Sequence, residues 1–77
     1  MEISNIGAFI QLLSKELAVE IDEIMPGMPF RELKNWSSLN ALLILSRIQE
    51  ETGKVIAPTK LATAKTVQDF FKLTKEA

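Results

Sequence analysis

Apolar residues recur at steps of four, three and four through Ile6, Ile10, Leu13 and Leu17, and Phe9 widens the stripe. That spacing predicts a helix from about Asn5 to Ala18 with one buried face. Ser4 or Asn5 is placed to cap it, and Gly7 weakens its first turn slightly. From Asp22 the periodicity dissolves into Glu23-Ile24-Met25-Pro26-Gly27-Met28-Pro29-Phe30. Pro26-Gly27 signals a turn, and Pro29 discourages helix at Met28. The connection lasts about fourteen residues, which is long for a compact helical domain, and loops of that length are often functional. Ile24, Met28, Phe30, Leu33 and Trp36 are the residues expected to staple it to a core. Trp36 reads as a packing anchor rather than a ligand-binding aromatic.

A second helix is predicted to begin at Ser37 or Ser38 and to end near Thr52-Gly53, where glycine supplies the stop. Leu39, Leu42, Leu45 and Ile48, with Ile44 and Leu43 beside them, make an apolar arc broader than one neighbour needs. The helix is therefore either central or has an exposed apolar edge. Val55-Ile56 has no second strand to pair with and reads as an extended loop that plugs one of the two side chains into the core. Pro58 suits the first turn of a short helical piece through about Thr63. Thr66-Val67-Gln68-Asp69 is a capping-box pattern, and Val67, Phe70, Phe71 and Thr74 follow on one side of a last short helix. The whole chain, 1–77, is expected to form a single all-α domain: a small four-helix bundle with a long loop between helices I and II and a short third helix.

Composition narrows what such a bundle does. The 77 residues include no cysteine and no histidine, which excludes disulfide staples, the usual zinc sites and nucleophilic chemistry that relies on a histidine base. An enzyme would need a carboxylate or lysine site in a deep pocket, for which a domain this small has little room. No apolar run of transmembrane length and no leader-like segment occur, so a cytoplasmic protein without a membrane partner is expected. Residues 1–52 carry a net charge of −4 and residues 53–77 a net of +3. The C-terminal lysines, at 54, 60, 65, 72 and 75, are dispersed as on a solvated surface. Nucleic-acid binding needs a concentrated basic face and is not expected.

One position remains chemically suggestive. Ser38 stands where the polar loop meets the apolar second helix, at the positive end of the helix dipole and near first-turn amides that lack helical partners. An attached phosphate is well tolerated at such a place. Serine is also a leading cap residue, so Ser38 reads either as a plain N-cap or as a hydroxyl that carries a group.

The helix order and length, Phe30-x-x-Leu33 leading to Trp36-x-Ser38-Leu39, Glu50-Glu51-Thr52-Gly53, Val55-x-x-Pro58 and Lys65-Thr66-Val67-x-Asp69-Phe70 together resemble the acyl carrier protein family, including its peptidyl-carrier members. The likeness spans essentially the whole chain, and its specificity lies in the order and separation of the pieces. It implies 4′-phosphopantetheine esterified to Ser38 by a separate phosphopantetheinyl transferase that uses coenzyme A. The terminal thiol would then hold an acyl or aminoacyl group as a thioester. Acyl- or aminoacyl-loading ligases and synthases of fatty-acid, polyketide or related secondary-metabolite synthesis are the partners implied, met by a carrier expected to be a monomer. The resemblance places the partner-facing surface at Ser37, Leu39, Asn40, Leu43, Arg47 and Glu50. Members of the family can shelter a bound chain between helices, here among Ile44, Leu45, Ile48, Leu61, Val67 and Phe70, although in the unloaded protein these are expected to fill a dry core.

Departures from the family pattern also matter. Ser37 replaces the usual acid before the modified serine, so it can cap but brings no charge for the transferase or its metal ion. Asn40 and Leu43 stand where acids are common, and Arg47 adds a positive charge. Long-range steering toward basic enzymes is then expected to be weak, and an apolar ridge at Leu39 and Leu43 would suit a dedicated carrier. The rival reading is a carrier-like fold that is never modified and serves as a helical protein-interaction module.

Overall fold

The computed structural model describes residues 5–76 and consists of four α-helices: α1 (Ile6–Leu17), α2 (Ser38–Thr52), α3 (Pro58–Leu61) and α4 (Val67–Glu76). Asn5 caps α1, its Oδ1 accepting the Ala8 amide at 2.9 Å. The Ser4 alternative lies outside the described residues. Ala18 takes a left-handed conformation, φ 56°, and closes the helix. The predicted stripe is buried at Phe9, Ile10, Leu13 and Leu17, and Leu12 joins it.

The loop between α1 and α2 contains two single-turn 3₁₀ helices, Ile21–Glu23 and Phe30–Glu32. Ile24, Phe30 and Leu33 are buried, while Met28 and Trp36 are partly buried against the same cluster. Trp36 packs edge-on to Phe30 with ring centroids 5.0 Å apart, as a packing anchor does. The loop is also stitched to the α3–α4 connection by backbone bonds. Phe30 N–H donates to the Lys65 carbonyl at 3.1 Å, and Val67 N–H and Gln68 N–H donate to Met28 and Pro26 at 2.9 Å each. Arg31 fastens the short α3: its guanidinium donates to the carbonyls of Ala64 at 2.8 Å and Leu61 at 3.1 Å. The same group lies 4.5 Å above the Phe30 ring.

In α2 the core side is Ile44 and Ile48, both fully buried, with Ala41 and Leu45 packed beside them. Of the two alternatives left open by the broad arc, the structure takes the second, since Leu39 and Leu42 are 67% and 57% exposed. The helix does have an exposed apolar edge. Its β-branched pair faces inward and its leucines are divided between the two sides. Beyond Gly53, φ 75°, Ile56 enters the core while Val55 stays exposed. Pro58 opens α3 as expected, but the helix ends at Leu61, two residues before Thr63.

The predicted capping box is formed reciprocally. Asp69 N–H donates to Thr66 Oγ1 at 3.1 Å, and Asp69 Oδ2 accepts Thr66 N–H at 3.2 Å and Lys65 N–H at 3.3 Å. The amides of Thr66 and then Lys65 hold the Asp69 carboxyl below the ordinary carboxylate range. A carboxylate depressed in the folded state contributes stability above its unfolded pKa and loses it as pH falls through the folded value. Acidification below about pH 4 is therefore expected to lower the thermal midpoint of the parent chain more than that of Asp69→Asn. Parallel circular-dichroism melts check this, and identical pH profiles would refute it. Val67, Phe70 and Thr74 of α4 are buried and Phe71 is partly so. No helix among the described residues is long and apolar enough to cross a membrane.

Candidate functional site at the start of α2

Leu33 and Trp36 anchor the last part of the loop, with Trp36 N–H donating to the Leu33 carbonyl at 3.1 Å. Between them Asn35 adopts φ 67°, the left-handed region that asparagine tolerates better than most residues. Ser37 is extended, φ −154° and ψ 166°, and its Oγ accepts the Asn40 amide at 3.1 Å. Its carbonyl accepts Ala41 N–H at 2.8 Å, the first bond of the helix. Ser37 is thus the N-cap, and Ser38 is the first helical residue.

This assignment separates the two serines. The capping duty open to either serine belongs to Ser37, and Ser38 is exposed. The Ser38 and Leu39 amides have no carbonyl partner within the helix, and no acidic side chain occupies the first turn. A phosphodiester on Ser38 would meet open amide donors and the positive end of a 15-residue helix. The residues present fit that group.

The other predicted positions fall into two sets. Leu39, Leu43 and Glu50 lie on the outward face of α2, Leu39 and Leu43 being 67% and 48% exposed. Leu42 extends this ridge. The sequence hid it, because its spacing from Leu39 and Leu45 equally suits a core stripe. Asn40 and Arg47 flank the ridge and are engaged within the molecule. Asn40 Nδ2 donates to the Asn35 carbonyl at 2.7 Å. Arg47 lies 3.6 Å from carboxylate oxygens of Glu16 on α1 and of Glu50 and Glu51 on α2. The positive charge that α2 carries in its middle is matched by these three acids. The proposed chain-sheltering residues Ile44, Ile48, Leu61, Val67 and Phe70 are buried members of one core cluster, and Leu45 is partly buried against it.

A protein family described as a phosphopantetheine attachment site matches residues 7–73. The match runs through all four helices and includes the start of α2. The chain belongs to this family of phosphopantetheine-binding carriers, in keeping with the acyl carrier protein likeness of its sequence and its all-α bundle. Members carry covalent 4′-phosphopantetheine on a serine and are non-catalytic carriers. A search among curated proteins found no match.

Proposed function

We propose that Ser38 is the serine that bears 4′-phosphopantetheine, and that the domain presents an acyl or aminoacyl thioester to the enzymes of a fatty-acid, polyketide or related secondary-metabolite pathway. The observation that carries this reading is the division of labour at the start of α2. Ser37 caps the helix through its hydroxyl, which leaves Ser38 exposed on the first turn with no structural duty. When bound, the prosthetic group supplies the thiol that holds cargo. The Ser38 oxygen forms the phosphoester as the pyrophosphate link of coenzyme A breaks and the nucleotide half leaves. Its proton passes to a base on the transferase, because this histidine-free chain offers none of the usual kind. The protein then works as a cytoplasmic, monomeric handle.

Incubation of the purified chain with coenzyme A and a broad-specificity phosphopantetheinyl transferase tests the assignment. An intact-mass gain of one phosphopantetheinyl group, mapped by peptide analysis to Ser38, is the expected result. No gain with any of several transferases would overturn it and favour an unmodified interaction module.

The ridge beside the serine supports an apolar docking mode. Leu39, Leu42 and Leu43 are solvent-facing, and Arg47 is matched by Glu16, Glu50 and Glu51, so contact area rather than long-range charge attraction brings partners in. The footprint we assign is Leu39, Leu43 and Glu50, with Ser37, Asn40 and Arg47 at its margin. Burial of one leucine is worth about 1.5–3 kcal/mol, so Leu43→Glu is expected to lower kcat/KM of the cognate loading enzyme by about tenfold or more. Unchanged turnover would remove the ridge from the interface.

A further inference from the structure

We propose that Asn40 and Asn35 form a clasp that sets the pose of Ser38, and that they are positioning residues for its modification. This rests on Ser38 being the attachment serine. The apolar packing that fixes the rest of the molecule lapses between Trp36 and Ala41. From Ser37 to Leu39 every residue is exposed, and Asn40 and Ala41 are only partly buried. First turns without buried side chains fray readily, so hydrogen bonds must orient this one.

Those bonds form a continuous chain. The Leu17 carbonyl, among the last of α1 and without a helical donor, accepts Asn35 Nδ2 at 2.8 Å. The Asn35 carbonyl in turn accepts Asn40 Nδ2 at 2.7 Å. The Asn40 backbone amide donates to Ser37 Oγ at 3.1 Å. Asn40 therefore grips both the loop and the cap, and the segment it closes, residues 35–40, contains Ser38. Through Asn35 that segment is tied to the end of α1, and the left-handed backbone of Asn35, φ 67°, aims its carbonyl and its amide group at different helices.

A carboxylate at position 40 cannot donate to the Asn35 carbonyl, yet it suits a helix N-terminus. Asn40→Asp thus breaks the clasp with little expected loss of global stability. The test measures kcat and KM for transfer from coenzyme A to the full chain by a broad-specificity phosphopantetheinyl transferase, for the parent, Asn40→Asp and Asn40→Ala. Melting midpoints and NMR hydrogen exchange of the amides at 38–41 accompany it. The expected result is a loss of about two- to tenfold in kcat/KM for both variants, the value of one hydrogen bond. It should come with faster exchange confined to the start of α2 and a folded population above nine-tenths, as the melts report. Parent-like kcat/KM in Asn40→Asp would overturn the clasp, as would losses no larger than the unfolded fraction of each variant. Failure of the parent chain itself to accept the group would instead overturn the assignment of Ser38.

Discussion

Phe70→Ala is expected to cost about 3–5 kcal/mol and to lower the thermal midpoint by more than about 12 °C. Phe70 is fully buried, and its ring lies 5.0 Å from Phe9, 5.1 Å from Phe30 and 6.4 Å from Trp36. One side chain of α4 thus joins α1 to the loop that leads into the candidate site. Aromatic pairs of this kind add about 0.5–1.5 kcal/mol beyond the area they bury. A chain of 77 residues has a total stability of only about 4–12 kcal/mol, so the substitution removes a large share of it. The neighbouring Phe71 is only partly buried and packs on Phe9 at 5.8 Å, so Phe71→Ala is expected to cost distinctly less. Urea denaturation of both variants, followed by Trp36 fluorescence, checks the ranking. Equal losses would show that the aromatic hub is not centred on Phe70.

Much of this arrangement could be read in advance where one local pattern had one structural solution. The Ile6–Leu17 stripe, Pro58 at the start of a helix and the Thr66/Asp69 box each gave the element they imply. In α2 the exposed edge at Leu39 and Leu43 was one of two open readings, and the sides taken by Leu42 and Leu45 were not fixed, because hydrophobicity alone does not select a side. The choice was made by tertiary packing, which took Ile44 and Ile48 inward. Contacts between distant segments left no trace in the sequence. Arg31 reaches carbonyls 30 and 33 positions away, and Phe30 pairs with Lys65 through backbone atoms that any residue possesses. The candidate site was legible for a different reason. Ser38 emerged from the order of several weak motifs, whereas the allotment of the cap to Ser37 needed backbone dihedrals, since either serine has the chemistry for it. The Asn35–Asn40 bond was hidden for the same reason, and an asparagine next to a turn was its only hint.

Adjacent hydroxyls with different duties give the second large effect. Ser38→Ala is expected to abolish phosphopantetheinylation completely, because the exposed first-turn hydroxyl with no capping role is then gone. Ser37→Ala should leave Ser38 modifiable while costing about 1 kcal/mol of stability through the lost bond to the Asn40 amide. Ser37→Asp tests the point at which this chain departs from the family pattern. A carboxylate caps as well as a hydroxyl, and its charge at the helix N-terminus adds about 0.3–1 kcal/mol. The resemblance further implies that an acid before the modified serine serves the transferase and its metal ion. Ser37→Asp is thus expected to raise the melting midpoint by a few °C, about 4–8 °C per kcal/mol, and to raise kcat/KM for the transferase several-fold over the parent. Intact-mass time courses on the three variants separate the duties. Modification that persists in Ser38→Ala, or that disappears in a folded Ser37→Ala, would reverse the assignment of cap and tether.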